Sequence, residues 1–136
     1  MKKISIFIYG TLSYLLFLGV FIYAIGFIGN IGGIGNSIDS IPGKPLNYAL
    51  MINLGLLSFF ALQHSGMARK GFKERMSRFI PQSAERSTYV LWSNFAMILI
   101  FMFWEPMGGT IWTISNAYAK SAMLFIYMFG WAVVLI

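Results

Sequence analysis

ISIFIYGTLSYLLFLGVFIYAIGFI, Ile4–Ile28, is a run of 25 residues without a charge. At about 1.5 Å of rise per residue a helix of that length reaches roughly 37 Å, enough to cross a bilayer core of about 30 Å with some tilt. Lys2 and Lys3 precede it, as basic residues precede a secretory leader. The apolar run, however, exceeds the ~7–15 residues of such a leader, and no small-residue cleavage site follows. It reads as a first membrane span. The rest of the chain agrees: 136 residues, 58% apolar, 10% charged, mean hydropathy +0.73. A soluble domain carries about 25% charged residues. This composition excludes a water-soluble fold, a disordered tail and a nucleic-acid-binding arm. At about 20 residues per span, the length accommodates four helices with short loops.

Working outward, Gly29–Pro45 reads as a loop, with Gly29, Gly32, Gly33, Gly35, Pro42, Gly43 and Pro45. Its glycines are not a phosphate-binding loop, because no strand precedes them and no GK[ST] is present. Residues 46–64 form a second span and residues 87–104 a third; Asn53 and Asn94 are their buried amides, each needing an interhelical partner. Residues 120–136 form a fourth. Trp104 and Trp112 suit one aromatic belt, Tyr89 and Trp92 the other.

Between the second and third spans the composition changes. Gln63–Arg86 holds Arg69, Lys70, Lys73, Arg75, Arg78 and Arg86, six of the ten basic residues, with Met67, Phe72, Met76 and Phe79 at roughly helical spacing. This pattern predicts a short basic helix lying in the membrane interface, ending at or before Ile80 ahead of Pro81. Glu74 and Arg78 stand as an i,i+4 pair. Ser83 is positioned to cap the third span, with Glu85 in its first turn. With the N-terminus cytoplasmic, eight basic residues lie inside and only Lys44 and Lys120 outside, as the positive-inside rule requires. The net charge of +6 is thus explained by membrane orientation. The expected fold is an all-α integral membrane protein with four spans and a basic cytoplasmic helix between the second and third.

The chain has no cysteine, one histidine and four acids, which excludes disulfides, a thiolate nucleophile and a histidine- or carboxylate-rich metal site. The polar groups that could do chemistry gather at one depth. Gln63, His64 and Ser65 end the second span, and Glu85, Arg86 and Ser87 begin the third at the same rim, with Tyr89 one turn further in. An unperturbed histidine titrates near neutrality, so His64 is the candidate base, with Glu85 or Arg86 placed to orient it. Such rim clusters also serve simply to cap helices and reach head groups. A Ser–His hydrolase pairing is excluded, since His64 and Ser65 are sequence neighbours whose side chains diverge on a helix.

Four segments carry a resemblance: YAIGFIGN (Tyr23–Asn30), SIDS (Ser37–Ser40), FALQHSGMARKGFK (Phe60–Lys73) and IPQSAERSTYVLW (Ile80–Trp92). They resemble the front half of methanethiol S-methyltransferase, an NnrU-like membrane enzyme family within the isoprenylcysteine carboxyl methyltransferase superfamily. The resemblance runs from about Tyr9 to the end of the chain. It implies methyl transfer from S-adenosylmethionine to a small thiol, methanethiol, giving dimethyl sulfide, in a bacterial inner membrane. It further implies His64 and Glu85 as catalytic residues, and Gln63, Ser65, Arg86 and Tyr89 as contacts to substrate or cofactor. The superfamily carries its main cofactor motifs, an RHPxY-like segment and a glutamate pair, in a C-terminal half. No such segment occurs here, so the chain is expected to be one transmembrane domain, residues 1–136, at the front of a longer enzyme. The alternative is a non-catalytic membrane scaffold, or an NnrU-type accessory protein of nitrogen-oxide respiration. No protein partner is indicated.

Overall fold

The computed structural model describes residues 3–31 and 36–135. Lys2, Gly32, Gly33, Gly35 and Ile136, used in the reading above, lie outside them. Among the described residues the chain forms five helices and no strand: α1 Lys3–Ile28, α2 Leu46–Ala68, α3 Lys70–Met76, α4 Gln82–Phe103 and α5 Ala117–Leu135. All but α3 are long and apolar enough to cross a membrane. The chain is therefore an all-helical membrane protein, with a short basic helix between the second and third spans.

Several boundaries differ from the expectation, for one reason. An uncharged run measures the depth of hydrocarbon a helix crosses, whereas the helix itself continues into the polar interface. The second helix does not stop at His64 but runs to Ala68. The third begins at Gln82, five residues before Ser87, and the fourth at Ala117. Ser83 is not the cap of α4. Pro81 holds that position with φ −55° and ψ 139° and makes no side-chain capping bond; its fixed φ sets the entry to the helix. The basic helix ends at Met76, before Ile80 and Pro81 as expected. Arg69 takes an extended conformation (ψ 142°) that breaks the chain between α2 and α3, and turns carry it from Ser77 to Ile80. With α3 ending at Met76, Glu74 reaches back to Lys70 (3.9 Å) rather than forward to Arg78.

α4 is the central helix. α1 packs along it in parallel and α2 antiparallel. The α1–α4 seam uses small residues where the backbones approach, as membrane helix pairs do: Ser13, Ala24 and Ala84 are buried, and a Cβ at Gly10 would lie 3.3 Å from Ser87 Oγ. Polar groups in this seam are paired. Asn94 Nδ2 donates to the Ser13 carbonyl (3.3 Å), and Ser13 Oγ to the Tyr9 carbonyl (2.8 Å). Thr88 Oγ1 gives its one proton to the Ala84 carbonyl (2.9 Å), so Tyr9 Oη must donate to Thr88 Oγ1 (3.0 Å). Asn53 Nδ2 donates to the Glu105 carbonyl (2.7 Å), so Asn94 finds its partner on α1 and Asn53 finds one just past the end of α4.

The core lies toward the end of the bundle opposite α3, where Val20, Ala24 and Phe27 meet Ile100, Phe101 and Trp104. Trp104 is not a belt residue: it is buried, sits edge-on to Phe27 and donates Nε1–H to the Ile38 carbonyl (3.2 Å). An indole with a deep, fixed acceptor gains more from that bond than from the interface. α1 ends in a Schellman arrangement: Asn30 has φ +48° and Ile31 N–H donates to the Gly26 carbonyl (3.0 Å). The loop then returns, and Ile38 N–H donates to the Phe27 carbonyl (3.0 Å). α5 has no buried residue. It touches α1 through Tyr127 Oη, donating to the Ile25 carbonyl (2.6 Å), and through Trp131 edge-on to Phe21.

Candidate functional site

The antiparallel α2–α4 pair brings His64 onto the α4 face that carries Tyr89 and Ser93, which are one turn apart. Tyr89 Oη lies 2.8 Å from Nε2 and 3.0 Å from Nδ1 of His64. One hydroxyl proton can engage only one of these nitrogens at a time. Ser93 Oγ lies 3.3 Å from Nδ1 alone. The consistent assignment has Nδ1–H donating weakly to Ser93 and Tyr89 Oη–H donating to Nε2. Phe60, one turn before His64 on α2, stacks on the imidazole at 5.3 Å between centroids and 24° between planes, while the Tyr89 ring tilts over it at 5.2 Å. His64 is exposed yet held in one orientation by aromatic rings and hydroxyls.

Of the residues expected here, the structure joins His64 and Tyr89 directly. Glu85 is not among the hydrogen-bond partners of His64; it pairs with Lys73 at 3.8 Å and ties α4 to α3. The reason is the length of α2, which carries His64 more than a turn into the helix while Glu85 remains in the first turn of α4. Ser65 and Arg86 are exposed and outside the cluster. Ser93 and Phe60 were not anticipated, although their i+4 spacing from Tyr89 and i−4 spacing from His64 place them on the required faces.

Gln63 faces elsewhere. Its Nε2 donates to Met67 Sδ (3.0 Å), and its Oε1 is buried without a partner. It borders a cavity of about 620 Å³ between α2, α3 and α4. Phe59, Gly66, Phe72, Phe79 and Trp92 form much of its wall, together with Met67 and Met76. Of the apolar side chains expected to face the membrane from the basic segment, Phe72 and Phe79 are exposed at the open side of this space and Met67 is buried. Its polar lining is Gln63, Arg75 and Thr88, and Thr88 is already engaged. Among the described residues no cluster of His, Cys, Asp or Glu could hold a metal ion.

No family model matches the chain, and no solved structure matches it. Individual relatives do. The chain is 44% identical to a methanethiol S-methyltransferase of Crocosphaera subtropica over 136 residues, which is 100% of this chain and 53% of the relative. It is 43% identical to one of Mycobacterium tuberculosis over 99% of this chain and 55% of the relative. A third, from a Pseudomonas species, is 38% identical over 98% of this chain and 51% of the relative. The chain thus spans about half the length of the curated relatives it matches. By sequence, the chain is similar along its whole length to about half of each of these methanethiol S-methyltransferases.

Proposed function

We propose that this chain contributes the thiol-handling part of an S-adenosylmethionine-dependent enzyme that methylates methanethiol to dimethyl sulfide. The observation that carries the proposal is the identity of 44% across the full chain to a protein of that name; the His64–Tyr89 contact supplies groups suited to the chemistry. A thiol is a weak nucleophile and its thiolate a strong one, so a base that takes the S–H proton raises the reactive fraction. Tyr89 Oη can accept that proton as it passes its own to Nε2 of His64. Ser93 and Phe60 hold the imidazole so that Nε2 presents its lone pair. Methanethiol is small and apolar and can reach the helix pair from the bilayer.

S-adenosylmethionine supplies an electrophilic methyl group. Its nucleoside and amino-acid portions need many polar partners, and the cavity beside Gln63 offers only one unengaged acceptor and one cation. The described residues do not fit the whole molecule. The proposal assigns its main contacts to the portion of the relatives that this chain does not span. In orientation, the reading places the N-terminus and residues 64–86 on the cytoplasmic side of a bacterial inner membrane, where a charged methyl donor is available.

The test is a chimera joining residues 1–136 to the remaining portion of the Crocosphaera relative, assayed in membranes with methanethiol and labelled S-adenosylmethionine. Labelled dimethyl sulfide well above the vector control supports the reading. Background levels from an inserted chimera, beside an active parental relative, reject it.

A further inference from the structure

The cavity between α2, α3 and α4 is too large and too apolar for the chemistry above. Its 620 Å³ equals the volume of about twenty water molecules at roughly 30 Å³ each, whereas methanethiol has two heavy atoms. Water does not suit it, since an ordered water needs two to four polar partners and the lining offers few. Its rim is exposed and greasy: Phe79 is 88% and Leu62 75% exposed, so the space opens sideways to the surroundings of the helices, which in a membrane are lipid chains.

Its polar edge is cationic. Arg75 lines it. Among the described residues the ion pairs are Lys70–Glu74 and Lys73–Glu85, which leaves Arg75 without an acidic partner at the end of the cavity formed by α3. A guanidinium beside an apolar slot matches a phosphate attached to an acyl chain. At the back, Gly66 leaves the slot open, because a Cβ there would meet nothing within 4 Å.

We infer that this cavity is a specific site for an anionic phospholipid. One acyl chain lies between Phe59, Phe72 and Trp92, and the phosphate lies at Arg75. The inference does not depend on the catalytic reading of His64. Phosphatidylglycerol carries the net negative charge; phosphatidylcholine carries none.

The experiment reconstitutes the chain in nanodiscs of equimolar phosphatidylglycerol and phosphatidylcholine, releases it into the gas phase and weighs the retained lipid. The wild type retains phosphatidylglycerol preferentially. Arg75→Gln lowers that preference about fivefold. Gly66→Leu fills the slot and removes the retained lipid, while Gly66→Ala, a smaller change that also favours the helix, keeps it. Helicity and insertion of each variant are checked by circular dichroism; should Gly66→Leu fail to fold, Gly66→Phe and Arg75→Gln decide. Equal retention of the two lipids by the wild type overturns the inference, as does undiminished retention in a folded Gly66→Leu. Displacement of the lipid by added S-adenosylmethionine also overturns it and gives the cavity to the methyl donor.

Discussion

Asn53 and Glu105 exchange two hydrogen bonds. The Asn53 amide Nδ2 donates to the Glu105 carbonyl at 2.7 Å, and the Glu105 N–H donates to Asn53 Oδ1 at 2.9 Å. One buried side chain of α2 thereby satisfies both main-chain groups of the residue just past the end of α4, where a helix otherwise leaves carbonyls and the exiting N–H without partners. Asn53→Leu removes both bonds and strands two peptide groups. The expected loss is about 1–3 kcal/mol, read as a lower thermal midpoint in detergent. Asn53→Asp keeps the acceptor for the Glu105 N–H but loses the donor, and the midpoint should fall between the two.

At the opposite flank, Gly29 lies under Tyr127. A Cβ there would sit 2.9 Å from Tyr127 Oη and 2.9 Å from the Ile25 carbonyl, the two atoms of the bond that attaches α5. Gly29→Ala should displace the tyrosine and cost about 1–3 kcal/mol of packing. Tyr127→Phe should loosen α5 without the clash. Both predict faster amide exchange across residues 117–135, with α1 and α4 unchanged; exchange confined to the mutated turn would count against this attachment.

In the chimera, His64→Ala should lower turnover about 10²-fold, the usual scale for losing a general base. Tyr89→Phe should lower it by a smaller factor and alter the pH profile, since the proton then reaches Nε2 without the hydroxyl. Glu85→Gln should change turnover by less than about threefold, because its partner is an exposed lysine. A Glu85→Gln loss as large as that of His64→Ala would restore Glu85 to the reacting centre.

The cysteine-free sequence gives a clean background for topology. Ser77→Cys, just past α3, should react with an impermeant maleimide only after cells are opened. Ser115→Cys, ahead of α5, should react in intact cells. The reverse pattern would place the basic segment outside.

The sequence made the spans legible because lipid imposes a simple rule: long uncharged runs cross it. It made Asn53 and Asn94 legible for the related reason that an amide in such a run must find a partner. Helix ends were less legible, since Gln82–Arg86 is polar in composition yet helical, and hydropathy marks depth rather than conformation. Trp104 was misplaced because its acceptor, the Ile38 carbonyl, belongs to a loop whose return path no local pattern reveals. His64 and Tyr89 were both singled out from the sequence, but not as each other's partner. Acid–base pairing favoured Glu85, whereas the register of α2 against α4 set Tyr89 and Ser93 opposite. That register depends on packing across 25 to 29 residues of sequence separation.

The same register has a mechanical corollary. The Asn53–Glu105 pair, the Trp104–Ile38 bond and the return of Ile38 to Phe27 fasten α1, α2 and α4 together at one rim through main-chain partners. At the other rim α2 meets α4 through side chains, His64 with Tyr89 and Ser93, beside the cavity that Phe59 and Trp92 line. A small swing of α2 pivoting on Asn53 would widen the gap at His64 while leaving the fastened rim intact. Guest molecules entering or leaving there would meet a compliant doorway hung on a stiff hinge.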